Sequence, residues 1–439
     1  MDKQIKVEEK LTKEERDILE RNLEIFFAAI VKSPDIKGFD IEDIENKESF
    51  LEKFSPWHQE KGQELIQKFV DIVNNDQSTE DFSWLDILDE DKQWKKLDEE
   101  TKNEVKNKSK HVNMRYQIPT HFHGDIDNAV LFYCMENPRG YLGDYKDSVI
   151  DKEFQGETLN EFYVYSADKR LEESKRLKEI VRERYQLNDV TTDLIKKIIY
   201  SDAKDETPLR CELDNMFDEK PNFFQVEYIL KKNKRSKKPV LSEKYYYIAQ
   251  FYAQLLEING GNLSKYNIES EYKEKAQAER DKAIKISEKI CNVEIYPFSS
   301  SEPKLNEKGI GNTILLNSAL SRLGVYIVLR RIYRYLNNEA EKPVFLFRKY
   351  DRAWKNLFNE IFKEVKKKNQ RFDNELVLSL LEKGFFYCQT GSMGGGITDG
   401  NVISVPNFSE VDRKNSKEFK KTKLNDFNSI KSLLTKVES

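Results

Sequence analysis

Ala129-Val130-Leu131-Phe132-Tyr133-Cys134, followed by Glu136-Asn137-Pro138-Arg139-Gly140, is the stretch on which the fold turns. The apolar run is short and unbroken, which suits a strand buried on both faces of a parallel sheet, where neither side meets water. The residues after it are turn formers. Three runs downstream have the same build. Val293-Glu294-Ile295-Tyr296 ends at Pro297-Phe298-Ser299-Ser300-Ser301, and Val344-Phe345-Leu346-Phe347 ends at Arg348. Phe385-Phe386-Tyr387-Cys388 ends at Gln389-Thr390-Gly391-Ser392-Met393-Gly394-Gly395-Gly396. Helical patterns around Ile314–Leu336 and Trp354–Val365 separate these runs. Strand, loop and helix in alternation predict an α/β fold: a three-layer, doubly wound, mostly parallel sheet of about four strands, with 129–134, 293–296, 344–347 and 385–388 as neighbours. Ligands in such sheets sit outside the carboxyl ends of the strands, so chemistry is expected in these four loops.

Around this layer the sequence is helical and charged. Residues 1–112 form a helical N-terminal extension, with Ile18, Leu19, Leu23, Ile25, Phe26 and Ile30 at one helical period and Leu65, Ile66, Phe69, Val70 and Val73 at another. The α/β domain begins at 113–149 and resumes at 290–409, and a large helical insertion, 150–289, divides it. Within the insertion a helix is expected from Ser242 to Ile258, with Ile248, Phe251, Tyr252, Leu255 and Leu256 as its core stripe and Gly260-Gly261 as its stop. Tyr245-Tyr246-Tyr247 reads as core plus surface, or as a base-stacking platform. The run from Lys231 to Lys238 carries six positive charges and reads as an exposed loop. Residues 410–439 form a charged tail with a short helix and no functional signal.

The chain has 439 residues, of which 38 % are hydrophobic and 35 % charged, with a net charge of −4. That supports a buried core and excludes a disordered chain. No window reaches the ~18 apolar residues a membrane span needs, and the start, Met1-Asp2-Lys3-Gln4, lacks an apolar signal region. Cys134, Cys211, Cys291 and Cys388 lie far apart, which argues against a disulfide framework or a thiolate zinc site. A cytoplasmic protein without a membrane anchor is expected. Residues 76–100 carry ten acids against three lysines, and 322–375 carry fourteen Lys/Arg against seven acids. Each run reads either as a solvated helix face or, for the basic one, as a track for a phosphate backbone that the acidic one covers.

Pro119, Gly124-Asp125, the apolar strand and Asn137-Pro138 with a following glycine together resemble the first motif of the uracil-DNA glycosylase superfamily, an Asn-Pro-Gly turn in its mismatch-specific branch. Glu294-Ile295-Tyr296-Pro297-Phe298 is similar to the second-strand motif of glycosylase-like bacterial proteins, and Phe385–Cys388 with the Ser392 loop stands where the family carries its DNA-inserting loop. The resemblance covers about a third of the chain, 116–146 and 290–408. It implies that Asn137 orients a water, that Glu136 beside it acts as a general base, and that Phe298 and Pro138 line a base pocket. Arg139, Ser392, Arg348, Arg330 and Arg334 are then the candidate nucleic-acid contacts. Two departures stand out: Arg139 occupies the position before Gly140 where the family favours glycine, and the last loop lacks a His-Pro-Ser pattern. All four histidines, His58, His111, His121 and His123, precede the first motif's loop.

Other readings of the same residues remain. Asn137, Glu136 and Phe298 suit ordinary turn and core roles. His121 and His123 alternate along an extended segment near Asp125 and Asp127, which reads as sheet-edge packing or as a metal pair. The 391–396 loop is not a Walker loop; it is either mobile or a phosphate cradle built from backbone N–H groups. The expected function is a DNA-acting protein of the glycosylase type, working on a flipped and modified or foreign base without a cofactor. The alternatives are an inactive glycosylase-like module that binds or inhibits a protein or nucleic-acid partner through its helical regions, and a nucleotide-binding sensor on an unrelated α/β sheet.

Overall fold

The computed structural model describes residues 10–31, 42–75, 78, 82–108, 118–138, 190–218, 230–232, 239–241, 247–257, 279–298, 310–390, 396–411 and 416–436. Its strands are β1 (Phe122–His123), β2 (Leu131–Met135), β3 (Tyr200–Ser201), β4 (Leu230–Lys232), β5 (Pro239–Leu241), β6 (Ile290–Glu294), β7 (Val344–Phe347), β8 (Phe386–Gln389) and β9 (Val402–Ser404). Seven of them form one sheet in the order β3-β1-β6-β2-β7-β8-β9. The four runs expected to be neighbours supply its centre. β2 pairs in parallel with β6 through Leu131↔Ile290 to Met135↔Glu294, and with β7 through Leu131↔Val344 to Cys134↔Phe347. β8 pairs in parallel with β7.

The sheet is wider and more mixed than the four-strand expectation. β1 joins β6 antiparallel and β3 parallel, while β9 joins β8 antiparallel. These edge strands have only two or three residues each, too short to carry an alternation that could be read from sequence. β6 also runs earlier than expected: it starts at Ile290 and ends at Glu294, so Ile295 and Tyr296 follow the strand.

Side chains of the central strands alternate between two separate cores, as a sheet covered on both faces requires. Phe132, Cys134, Cys291, Val293, Phe345, Phe347 and Phe386 join one, with helices Lys13–Val31, Glu60–Val73, Ala319–Leu336, Trp354–Lys368 and Asn374–Gly384. Leu131, Tyr133, Met135, Ile290, Val344, Leu346 and Tyr387 join the other, with helices Pro208–Asp218, Arg280–Glu288 and Ser416–Thr435. The three-layer arrangement is thus observed. The N-terminal helices are part of it rather than an appendage: Phe26 packs on Tyr326 and Phe362 at ring-centroid distances of 6.0 and 5.8 Å. The C-terminal helix is also part of the layer, since its buried Asp426 accepts the Ser404 N–H at 2.7 Å. The insertion contributes β3 and the covering helices Thr192–Ile199, Pro208–Asp218 and Arg280–Glu288, as well as β4 and β5, which pair as a separate ribbon. Lys231 and Lys232 therefore belong to a strand rather than to a loop.

Two helices differ from expectation. The described part of Ser242–Ile258 is a π-helical turn, Ile248–Tyr252, followed by Ala253–Leu256 and a left-handed Glu257 at φ 56°. Its first amides are held by Glu212, which accepts Tyr247 N–H at 2.9 Å and Ile248 N–H at 2.8 Å. The pattern at 314–336 breaks into Ile310–Asn317 and Ala319–Leu336, bent by 58°, where Ser318 caps the second helix. No single described helix is long and apolar enough to cross a membrane; this bent pair reaches the necessary length and composition, but Leu320 to Tyr333 is buried in the first core. The acidic run meets the basic helix through Asp91, which accepts the Ala319 N–H.

Candidate active-site crevice

In chain order the central parallel strands are β2, β6, β7 and β8, arranged β6-β2-β7-β8, so the winding reverses between β2 and β7. Connections leave those two strands toward opposite sides, the arrangement in which a ligand crevice is expected at their carboxyl ends. The β2 exit places Glu136, Asn137 and Pro138 there, and the β7 exit places Arg348 and Lys349. The Arg348 N–H donates to the Cys134 carbonyl at 2.9 Å, which ties the two exits together. Lys349 Nζ then bridges to Glu136 Oε1 at 2.9 Å. Lys349 achieves this from a left-handed backbone (φ 46°), a conformation a non-glycine side chain resists.

Asn137 lies at the lip, partly buried, and its Nδ2 donates to the Pro138 carbonyl at 3.1 Å. Pro138 is buried beside it. Glu136 and Asn137 therefore lie at the carboxyl edge, with the glutamate in an ion pair and the amide bonded to its own turn. The motif's Gly124-Asp125 has a structural role. Gly124 sits at φ 125°, and a Cβ there would approach the Ile290 carbonyl oxygen to 2.6 Å, so glycine permits the close passage over the start of β6. Asp125 caps the following turn by accepting Asp127 N–H at 2.9 Å and Asn128 N–H at 3.1 Å.

Several candidates are placed elsewhere. Arg330, read as a solvated residue or a phosphate contact, is 1 % exposed. Its guanidinium pairs with Asp127, donates to the Ile44 carbonyl, reaches the Glu45 carbonyl at 2.8 Å and stacks on the Phe50 ring at 4.9 Å. Arg334 donates to the Glu45 carbonyl and pairs with Glu339, at 3.1 and 3.0 Å. Both arginines fasten the N-terminal helices to the layer and are corrected from nucleic-acid contacts to internal ties. Phe298 is 1 % exposed and packs edge-on against Tyr296, with ring centroids 5.5 Å apart, so its ring stacks on the core rather than standing open to a base. Arg139 and Ser392 lie outside the described residues, as do Tyr245, Tyr246, Gly260, Gly261 and the loop at 391–395.

The possible metal pair does not converge. His121 Nδ1 accepts the Trp57 indole N–H at 3.0 Å, and His123 Nε2 faces the Lys197 carbonyl at 3.0 Å. Burial lowers each imidazole to about 3, so both are neutral packing groups near neutral pH. Asp127 is taken by Arg330. Among the described residues no three or more His, Cys, Asp or Glu side chains gather as a metal would require.

The sequence reading gave no role to the polar residues behind the crevice. On the second-core face, Asn292 and Glu294 of β6 lie opposite Tyr133 and Met135 of β2. The Tyr252 hydroxyl, from the π-helical turn, donates to Asn292 Oδ1, and the Tyr133 hydroxyl meets Gln389 Oε1 at 3.2 Å. Arg348 lies over the Phe251 ring at 5.9 Å. Burial pushes the Glu294 carboxyl well above the ordinary carboxylate range, an effect the positive Arg348 opposes and Glu136 reinforces. A line of hydrogen-bonding side chains thus runs under the π-helical turn, from β6 across β2 to β8. Such turns are frequent at functional sites. The available sequence signal was Asn292 and Glu294 themselves, two polar residues at alternating positions of an otherwise apolar strand.

No family model matches the chain, and no curated protein or solved structure is significantly similar to it.

Proposed function

We propose that this chain is a DNA-acting hydrolase of the uracil-DNA glycosylase type that cleaves the N-glycosidic bond of a flipped, modified or foreign base. The observation that carries the reading is the convergence of the β2 and β7 exits at the sheet's topological switch point, with Asn137 and Glu136 on one exit and Arg348 and Lys349 on the other. In the proposed reaction the Asn137 amide holds a water against the anomeric carbon. The water oxygen bonds to that carbon as the C–N bond breaks, the electron pair leaves with the base, and the water proton passes to Glu136. Lys349 and Arg348 offset charge on the departing group or on the phosphates that flank it. The chemistry needs no cofactor.

The test is incubation of the protein with plain, uracil-containing and modified oligonucleotides, followed by a probe for abasic sites. Base release from one of these substrates, and its fall by roughly 100-fold or more in Asn137→Ala with DNA affinity retained, is the expected result; 100-fold corresponds to about 2.7 kcal/mol. Full base release by Asn137→Ala would remove Asn137 from the mechanism. A second reading, a degenerate binding or inhibitory module, is favoured by the Asn137 amide being turned onto Pro138, by the burial of Arg330 and by the Arg334 ties to Glu45 and Glu339. Binding of DNA, or of a protein partner, with no abasic product from any substrate would select it.

A further inference from the structure

The C-terminal segment, which shows no functional signal in the sequence, supplies a 20-residue helix, Ser416–Thr435. Two hydrogen bonds fix how it lies against the sheet. Lys423 Nζ donates to the carbonyl of Gly400, in the turn from β8 to β9, and Lys289, the residue before β6, donates to the Lys436 carbonyl just past the helix. β8 runs parallel to β7, so its exit and that turn stand at the carboxyl edge, whereas the start of β6 stands at the amino edge. The helix therefore runs from the carboxyl edge to the amino edge, and its first two turns share an edge with Asn137 and Arg348.

Those two turns hold Lys417, Lys420 and Lys421, all exposed and without a hydrogen bond or ion pair among the described residues. Spacings of three and four residues put them together on the outward side of the helix. Leu424, 44 % exposed, continues that side. The helix has two acids, Glu418 and Asp426, and Asp426 is buried under Ser404. Cations near a helix N-terminus oppose its dipole, so this placement does not stabilise the helix. Lys47, Arg280 and Lys355 stand equally early in their own helices and are each answered by a carboxylate: Asp202 at 2.8 Å, Asp218 at 2.6 Å and Glu382 at 2.8 Å. Lys367 and Lys368 are exposed too, but they end helix Trp354–Lys368, where the dipole favours them. Lys417, Lys420 and Lys421 have no such account within the fold.

We propose that Lys417, Lys420 and Lys421 bind the phosphate backbone of a nucleic acid that reaches the β2 and β7 exits. The inference rests on the DNA-acting reading for its choice of polyanion, and it names a contact surface outside the residues that would do the chemistry. Three unpaired ammonium groups within two turns complement a row of phosphates, and the release of condensed counterions drives such binding. A membrane surface fits less well. The apolar side of this helix, Phe427, Ile430, Leu433 and Leu434, is buried in the second core and has nothing to insert into a bilayer.

Fluorescence anisotropy of the full chain with labelled DNA, as a duplex and as a single strand, tests this over a series of salt concentrations. The wild-type protein should bind at least one of them with a steep salt dependence. Lys417→Gln combined with Lys420→Gln and Lys421→Gln should weaken binding at least tenfold at roughly 0.1 M salt and lower the log–log salt slope by roughly 2–3, about 0.9 for each lost contact. The melting temperature of this variant should equal or exceed that of the wild type, since no contact within the fold is removed. Lys363→Gln combined with Lys367→Gln and Lys368→Gln removes the same charge from helix Trp354–Lys368 and should leave the slope unchanged. No DNA binding by the wild type, an unchanged slope in the first variant, an equal fall in the second, or binding to phosphatidylserine vesicles in place of DNA would each overturn the proposal. The outcome is separable from that of the glycosylase reading. Salt-dependent binding through these lysines without abasic-site formation keeps the surface and removes the hydrolase; abasic-site formation with an unchanged slope in the first variant does the reverse.

Discussion

Two groups of buried polar side chains sit in this molecule, and they are built differently. Around Arg330 each guanidinium nitrogen is answered: Asp127, the Ile44 carbonyl and the Glu45 carbonyl accept from it, and Phe50 covers its face. Under the π-helical turn the accounting does not close, because Asn292 Nδ2 and Glu294 Oε2 have no acceptor or donor to meet among the described residues. A closed group fastens elements together; here it ties the segment before helix Lys47–Phe54 and the turn before β2 onto helix Ala319–Leu336. An open group destabilises the fold on its own. The difference lies in how fully each side chain is answered, since both groups contain ionisable residues deep in the protein.

The largest test of this contrast is acid. His121 accepts from Trp57 at Nδ1, His123 faces the Lys197 carbonyl, and burial holds both neutral at about 3, below the roughly 6.5 of an unfolded chain. Between these values the unfolded state binds more protons, so stability rises with pH across the window and is lost as pH falls through it. From pH 7.5 to 4.5 the two together should remove roughly 5 kcal/mol. Urea unfolding at each pH measures it. His121→Asn with His123→Gln keeps acceptor and donor atoms but cannot titrate, and should cancel most of the loss. An unchanged pH dependence in that double variant would mean that other groups carry the acid response.

Arg330→Met comes next. It leaves the part-buried Asp127 and two carbonyls without their donor; breaking a fully buried pair this way costs about 3–5 kcal/mol, and the part-exposed Asp127 brings the loss to roughly the lower end of that range. If instead stability held and DNA binding fell with a flatter salt dependence, the arginine would be a phosphate contact after all. Glu294→Leu should go the other way. Removing an unmatched buried carboxyl and filling its space with apolar volume should leave stability unchanged at pH 7.5 or raise it by about 1 kcal/mol. A loss above about 2 kcal/mol would show that Glu294 is a structural group and erase the contrast.

The same contrast explains what could be read in advance. The strand at Leu131–Cys134 was legible because a run buried on both faces has only apolar residues to show, and Val344–Phe347 and Phe385–Cys388 likewise. The edge strands were not, because two residues such as Phe122 and His123 become a strand only through Tyr200, Ser201, Asn292 and Val293, far away in the chain. Arg330 read as surface because Val325, Leu329, Ile332 and Leu336 already supplied an apolar stripe; the sequence does not reveal that the N-terminal helices close over the opposite side. The place of Glu136 and Asn137 could be read because turn residues after a buried strand sit at a carboxyl edge whatever the topology. Glu294 was missed because a single acid in an apolar run looks like the wet side of an edge strand. Only the pairing of β6 between β1 and β2 makes that position interior.

The smallest effect probes the crevice itself, at Lys349. Two features are superimposed there: an ion pair to Glu136 from a lysine whose side chain is 46 % exposed, and a left-handed backbone at φ 46°. A half-exposed pair contributes about 0–1 kcal/mol. The backbone conformation costs a residue with a Cβ about 1 kcal/mol relative to glycine. Lys349→Ala removes the pair and keeps the strain, whereas Lys349→Gly removes both. Glycine also carries more freedom into the unfolded chain, which returns part of the gain. The glycine variant should therefore exceed the alanine variant in stability by about 0.5 kcal/mol, measured by urea unfolding of the two side by side. Alanine equal to or above glycine would mean that the turn is not strained and that Lys349 is placed by its ion pair alone. Glycine ahead of alanine, together with loss of base release in both, would assign the strain to function: the backbone is held in a costly shape so that one ammonium reaches Glu136 across the crevice.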